Sequence, residues 1–501
     1  MTKTVRVPEE PGGADSVPQL RHLVSGRWSA GSGGSLVDTN PARPQEVVAT
    51  GRLAGSDDLD AAVASARAAF PAWSATPHPA RGRILARAGD ILDRRSAEWG
   101  AELAREEGKT LAEGIGEVRR AAEVCHYHAS EGSRAAGEIF ASSRAGEQIQ
   151  VIHRPVGTVA VVTPFNFPIA IPAWKIAPAL GYGNTVVWKP ASTVPLLAVR
   201  LAEALVEAGL PEGVLSLLIA DGDIGQQLVA HPGVDAVTFT GSTSVGRRLI
   251  ETCGRLMRPV QTELGGKNAA AVLADADLDL AVDEVLAGAF RSAGQKCTAT
   301  SRLIVTDAVA DEFLTALVAG AEGLRVGDPL LPDVLMGPVV TTSARDEIQA
   351  VVDASTERES VRVLTGARRY TDEMRRTGAF LPPTVVEVTG ESVLWREEVF
   401  GPVLTVRRAR DDQEALELVN DSAFGLSAAL FTDNLRAVTS AIEQLEVGVL
   451  HINSETAGAE PHVPFGGAKH SGFGPREQGR AAREFFTTSK TVYLRGSGTR
   501  L

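Results

Sequence analysis

Apolar residues in the first third of the chain recur at helical spacing. From Ser56 onward, Leu59, Val63, Ala66 and Phe70 fall three or four positions apart, and Asp57 and Asp58 stand where a first turn favours negative charge. Ser56 is the expected N-cap. The pattern returns with Ile84, Leu85, Ala88, Ile91 and Leu92 after Pro79, and with Trp99 and Leu103 after Ser96, and ends near Ser130. These positions predict a helix-rich opening, preceded by HLVSGRW and a Gly/Ser-rich turn at residues 31–35.

Between residues 156 and 273 the period changes. The Val-rich runs TVAVVTP, TVVWKP, VLSLLI and DAVTFT alternate with PIAIPAWKIAPAL, LLAVRLAEALVEAGL and DIGQQLVAH, each of helical length. Such alternation predicts a doubly wound parallel sheet, whose ligands bind at the carboxyl ends of the strands. Residues 164–166, 189–192 and 240–242 occupy those ends. Residues 277–448 alternate again, through LDLAVDEVLAGAF, RLIVT and VADEFLTALVAGA, and predict a second α/β lobe. The Gly/Pro-rich residues 464–474 read as an irregular surface loop.

Two lobes suit a chain of 501 residues, which is too long for one ordinary core. With 44% hydrophobic and 22% charged residues, the composition is that of a folded globular protein. A net charge of -12 argues against nucleic acid and anionic membranes as partners. No run approaches the roughly 18 apolar residues of a membrane span, and the start lacks the apolar core of a signal peptide. Residues 1–20 read as a loose arm. Cys125, Cys253 and Cys297 are too few and scattered for a disulfide framework, and they point to a reducing, cytoplasmic setting.

Several segments carry candidate chemistry. In FTGSTSVG, Gly241, Ser242 and Gly246 lie between a strand and a helix, where free N–H groups and the helix dipole favour a phosphate. Lys189 and Ser192 in WKPAST end another strand of the same sheet. Cys297 in AGQKCTATSR follows Lys296, a cation expected to lower its thiol pKa. Cys125 and Cys253 fall inside helical patterns and read as small buried hydrophobes. His126 and His128, two apart, face different sides of a helix, so no metal site is expected. Glu263 in QTELGGKN and Asn166 in PFNFP are unremarkable alone, as a surface acid and a turn residue; the ensemble changes their weight.

PFNFP, WKP, FTGSTSVG, ELGGKN, GQKCTA, EEVFGPV and PFGGAKHSGFG occur in the order and at roughly the spacing of the aldehyde dehydrogenase superfamily, which the chain resembles from about residue 22 to 494. GQKCTATSR and SGFGPREQGRAAREFFT look most like the branch containing bacterial 2-oxoglutarate semialdehyde dehydrogenases. The resemblance implies an α/β fold of two doubly wound, Rossmann-like lobes with a small β bridging element. Residues 21–136 and 156–264 would form the dinucleotide-binding domain, 265–486 the catalytic domain, and 137–155 with 487–499 the bridging strands. Cys297 would be the nucleophile that forms a thiohemiacetal and then a thioester, Glu263 the base that activates the hydrolytic water, and Asn166 an oxyanion donor. Lys189 and Glu398 would hold the two riboses, Ser242 the pyrophosphate, and Phe400 the nicotinamide, with Pro164, Phe165 and Leu264 beside the cofactor.

Phe165 stands where many members have Trp, and Ser192 where NAD-preferring members usually have Glu. The second departure predicts that NADP is accepted beside NAD, or preferred, unless Ser192 only caps the helix near Pro195. Phe167, Trp174, Arg291, Lys296 and Phe465 are the candidate substrate pocket. Arg291 either faces a substrate carboxylate or caps its helix. The bridging strands imply a homodimer or homotetramer. Two rivals remain: a dehydrogenase that acylates coenzyme A, which would not need Glu263, and a silent structural relative, which would have lost Cys297 or Glu263.

Overall fold

The computed structural model describes residues 17–134, 137–358 and 360–496. Residues 1–16 of the expected arm and 497–499 of the bridging element lie outside the described residues. The first long helix, Ser56–Ala75, has Gly55 as its N-cap rather than Ser56. The Asp58 carboxylate accepts the Gly55 N–H at 2.8 Å and the Ser32 N–H at 2.9 Å, so an acid three residues into the helix anchors its start. His78–Glu107 stops at Gly108, whose φ of 97° only glycine adopts without strain. Leu111–Ala129 follows, opened by Thr110 and Glu113 as a reciprocal capping box. Gly100 and Gly114 let these two helices touch: a Cβ on Gly114 would lie 2.4 Å from the Gly100 carbonyl oxygen.

The first lobe is built on an eight-stranded sheet ordered Arg27–Ser29, His22–Val24, Leu215–Leu217, Thr185–Lys189, Thr158–Val162, Ala236–Thr240, Val260–Glu263 and Gly472–Phe473. The five strands from Leu215–Leu217 to Val260–Glu263 are parallel. The chain winds outward from Thr158–Val162 in one direction and then resumes at Ala236–Thr240 on its other side, so the crevice of a doubly wound sheet opens between those two strands. Register sets Val162 beside Lys189 and Phe239, and Thr240 beside Glu263, which gathers these residues at one edge. The second lobe holds a seven-stranded sheet, Val361–Thr365, Thr384–Val388, Val403–Ala409, Thr300–Thr306, Asn268–Val272, Ser427–Phe431 and Val449–Ile452, parallel except for its first pair. A third, antiparallel sheet of Thr487–Arg495, Glu147–Pro155 and Gly137–Ala141 forms the bridging ribbon.

Two expectations need correction. Residues 472–486 do not pack with the second lobe: Gly472–Phe473 completes the edge of the first sheet, and Ala482, Phe485 and Phe486 are buried in the first lobe's core. The edge strand Val260–Glu263 needs hydrogen-bond partners, and the returning chain supplies them. Residues 464–474 are only in part a surface loop: Pro464, Lys469, His470, Phe473 and Gly474 are exposed, but the segment between them turns inward. Phe465 is 5% and Ser471 0% exposed, and glycine there serves close approach rather than solvation. Among the described residues no helix is long and apolar enough to cross a membrane.

Candidate active site

The helix Leu278–Phe290 ends at Arg291, and Ser292, Ala293 and Gly294 follow with φ of 54°, 51° and 70°. At Gly294 a Cβ would lie 2.2 Å from the Gly401 carbonyl oxygen, so glycine alone fits. This turn delivers Cys297 to the point where two cavities of about 580 and 290 Å³ meet. The Cys297 carbonyl accepts from Asn268 Nδ2 at 2.7 Å, while the N–H groups of Cys297 and Thr298 face the sulfur. Burial, with Glu398 and Glu263 nearby, pushes the thiol up to about 12; the two N–H groups oppose this. The expected help from Lys296 is not found. Its ammonium pairs with Glu455 at 3.2 Å, because adjacent residues of the turn project apart.

Asn166 follows the strand Thr158–Val162 and is 3% exposed. Its Nδ2 donates to the Gln295 carbonyl at 2.9 Å, and Gln295 is itself pinned by the Val340 N–H at 2.9 Å. An amide has two N–H donors, and the second has no protein partner among the described residues. Lys109 donates to the Asn166 carbonyl, pairs with Glu117 at 2.7 Å and lies 3.8 Å over the Phe167 ring. The other Glu117 oxygen accepts the Ile169 and Ala170 N–H groups, and Glu113 accepts the Ser292 N–H at 2.8 Å. One helix thus holds both the Asn166 loop and the Cys297 loop. Sequence reasoning missed Lys109, Glu113 and Glu117; the signal was the run EEGKTLAEGIGE, whose charges turn inward.

Glu263 ends the strand Val260–Glu263 and is 4% exposed. It accepts the Gly467 N–H; its Oε2 has no partner. A Cβ on Gly466 would lie 2.4 Å from Glu263 Oε1. Burial, then Glu477, hold this carboxyl well above its usual range, against Lys175 and Arg476. Lys175 is 1% exposed, donates to Thr238 Oγ1 at 3.0 Å and forms an ion pair with Glu477. Neither was predicted, although a single lysine inside PIAIPAWKIAPAL was a usable sign: buried lysines are paired.

The larger cavity fits a dinucleotide. Gly241 and Ser242 line it, and Ser242, the N-cap of Thr243–Arg255, makes no side-chain capping bond, so first-turn N–H groups remain for a phosphate. The hydroxyls of Thr240 and Thr243 are buried without partners. Lys189, 8% exposed, reaches only the Pro190 carbonyl at 3.1 Å, and burial pulls it down to about 8. At the other end Glu398 accepts the Gly266 N–H at 2.9 Å, and burial raises its carboxyl to about 7. Phe400 has φ 57° and meets Phe165 edge to face at 5.8 Å. Pro164 and Leu264 also line the space.

Gly246 does not line it. A Cβ there would lie 2.3 Å from Leu264, so this glycine seats the helix against its neighbour. Ser192 is likewise outside the lining, which holds Ala191 and, as its one acid, Glu398. Nor does Ser192 cap the helix Leu196–Glu207: the buried carboxylate of Glu106 accepts the Leu196 and Leu197 N–H groups.

Phe167, Trp174, Arg291, Lys296 and Phe465 all line the smaller cavity, with Trp174 and Phe465 5.7 Å apart. The Arg291 guanidinium meets Glu455 at 3.3 Å rather than the carbonyls of its helix, which removes the helix-cap reading. Among the described residues no group of acids, histidines and cysteines is placed to hold a metal ion.

Residues 28–492 match the aldehyde dehydrogenase family. The chain is 39% identical over 477 residues to an alpha-ketoglutaric semialdehyde dehydrogenase of Bacillus subtilis (strain 168), covering 95% of this chain and 98% of that one. It is 42% identical over 477 residues to an alpha-ketoglutarate semialdehyde dehydrogenase of Haloferax volcanii, covering 94% and 98%. A crystal structure of betaine aldehyde dehydrogenase from Staphylococcus aureus in complex with NAD+ superposes with a TM-score of 0.92 at 31% identity, over 96% of this chain and 95% of that chain.

A raised thiol is protonated at neutral pH and reacts as thiolate only when pH climbs. In the cofactor-free protein, alkylation of Cys297 by iodoacetamide is expected to rise roughly tenfold per unit from about pH 8 to 11 without a plateau. Glu398→Gln removes a nearby negative charge and is expected to move that limb to lower pH. A plateau below about pH 8 in the parent contradicts the assignment.

Proposed function

The chain belongs to the aldehyde dehydrogenase family, and from that premise we propose that this NAD(P)-dependent aldehyde dehydrogenase takes a short aldehyde carrying its own carboxylate, 2-oxoglutarate semialdehyde above all. The observation that carries this reading is the cavity of about 290 Å³ that ends at Cys297 and sets Arg291 and Lys296 beside apolar Phe167, Trp174 and Phe465. Glu455 bridges the two cations and offsets one of their charges, which leaves one positive charge for a substrate carboxylate, and the volume suits a small substrate. The names of the two semialdehyde dehydrogenases support the same class.

The chain's own groups divide the work. The Cys297 thiolate attacks the aldehyde carbon; a C–S bond forms and the carbonyl oxygen takes the negative charge. The second N–H of Asn166 and the Cys297 N–H stabilise that oxyanion, at about 3 kcal/mol per donor. Bound NAD(P)+ supplies a cationic ring that accepts the hydride and favours the thiolate. With hydride gone from the carbon, a thioester remains on Cys297. Glu263 then takes a proton from water as its oxygen attacks the thioester, the C–S bond breaks, and the carboxylate leaves. Lys175 and Glu477 act on Glu263 through their charges, the first lowering and the second raising its affinity for that proton. A buried base with an unpartnered oxygen supports hydrolysis over transfer to coenzyme A, and the presence of both Cys297 and Glu263 weighs against a silent relative.

At the adenosine end the cavity presents Lys189 and no carboxylate, which supports NADP+ use beside NAD+. The bridging ribbon leaves Ile139 69% and Tyr493 62% exposed, which supports pairing into a homodimer or homotetramer. The three free cysteines support a reducing compartment such as the cytoplasm.

Substrate class is tested by comparing 2-oxoglutarate semialdehyde with propanal. Arg291→Ala should raise KM for the carboxylated aldehyde at least tenfold, about 1.4 kcal/mol, with propanal little changed; an equal change for both sinks the substrate assignment. In rapid mixing, Glu263→Gln should give one burst of reduced cofactor and then stall at the thioester. Loss of that burst would place Glu263 before hydride transfer. Introducing a carboxylate one residue beyond Ala191, as Ser192→Glu, should lower kcat/KM for NADP+ by roughly tenfold and largely spare NAD+. A strict NAD+ preference in the parent would remove the basis for that expectation.

A further inference from the structure

A third cavity, of about 450 Å³, shares no lining residue with the other two. It lies where the bridging ribbon leaves the first lobe. Its walls carry five arginines, Arg81, Arg134, Arg154, Arg480 and Arg483, against two acids, Glu131 and Glu138. In a chain of net charge -12 this is a local inversion of sign. Glu131 is already engaged, with Arg134 at 2.9 Å and the Tyr182 hydroxyl at 2.8 Å.

Arg81 is 6% exposed, and its guanidinium bonds only to the backbone carbonyls of Gly181 and Thr76. It has no ion pair among the described residues. Burial without a carboxylate pulls it down to about 10, a cost that an anion would relieve. Beside it, His78 Nε2 is buried and has no partner. Burial and Arg81 lower this ring to about 4, so it stays neutral near pH 7, with one nitrogen able to donate and one to accept. Arg154 and Arg480 form no ion pair among the described residues. The walls therefore offer forked donors of one sign, in a volume typical of small-molecule sites.

We propose that this cavity is a second ligand site, which takes a compact organic anion with at least two negative charges, a phosphate monoester or a polycarboxylate. Its walls come from separate parts of the chain. His78 and Arg81 belong to the helix His78–Glu107, Arg154 to the ribbon strand Glu147–Pro155, and Arg480 and Arg483 to the segment that follows Glu477. An occupant pulls the ribbon and the C-terminal segment onto the first lobe. It thereby steadies the stretch of chain that holds Glu477 against Lys175.

The test uses the intact protein with its cofactor site saturated by NADP+, at constant ionic strength. Inorganic phosphate and citrate are titrated separately by calorimetry, with the thermal midpoint followed in parallel. At least one probe should bind saturably and raise the midpoint, since a ligand that binds only the folded state stabilises it. Arg154→Ala with Arg480→Ala should weaken that binding at least about tenfold, which is 1.4 kcal/mol, without altering NADP+ affinity. Both arginines are exposed on one side, so this double variant is expected to fold; an unchanged circular dichroism spectrum checks it. Binding of phosphate but not citrate identifies the phosphate class, and the reverse identifies polycarboxylates. Absence of saturable binding by both probes, or an equal midpoint shift in parent and double variant, overturns the proposal.

Discussion

Cys297 stands with Glu398 toward the cofactor cavity and Glu263 at its other flank, and all three are raised by burial. Limiting the water around a thiol and two carboxyls disfavours every charged form at once. A cationic group beside the sulfur would favour its thiolate, and in an oxidised nicotinamide cofactor that group is the nicotinamide ring. Much of the surrounding structure answers to this constraint. Gly265 and Gly266 lie where a Cβ would be 2.2 Å from Glu398 and 2.4 Å from the Cys297 carbonyl, so the ELGGKN turn is tight because the acids and the nucleophile must share one small volume.

Such a site has to be held from several directions, and polar groups rather than apolar packing do the holding. Lys109 and Glu117 fix the backbone around Asn166, while Glu113 fixes the first residue of the turn before Cys297. Asn268 holds Cys297 and Ala299 through their carbonyls. Because these bonds lie in a buried, low-dielectric region, leaving one end unpaired costs more than the bond itself contributes. That asymmetry favours a single arrangement of the Asn166 amide relative to the sulfur.

The chain closes on itself across the lobes. After the second sheet it returns to pair with Val260–Glu263, places Gly466 and Gly467 against Glu263, and sets Glu477 on Lys175. It then adds Phe485 and Phe486 to the first core before entering the ribbon. The glycines packed on Glu263, the acid paired with Lys175 and the bridging strand thus sit on one continuous stretch. A rearrangement of the ribbon has a short path to the hydrolytic half of the reaction.

Periodicity was enough to read the two α/β lobes, because a strand buried on both faces and a helix buried on one leave different spacings of Val, Leu and Ala. Ordered motifs singled out Cys297, Glu263 and Asn166 as candidates, since each lies at a strand end or in a turn whose glycines record a close backbone approach. The sequence could not show which charges turn inward. Lys109, Lys175, Glu106, Glu117 and Glu477 look like surface residues until partners 8 to 302 positions away neutralise or cap them. Nor could it show that Lys296 points away from its neighbour's sulfur, or that residues 472–486 belong to the first lobe. Local sequence carries spacing and turn chemistry; burial, pairing and pKa depend on what the rest of the chain brings alongside, and the tertiary structure alone decides that.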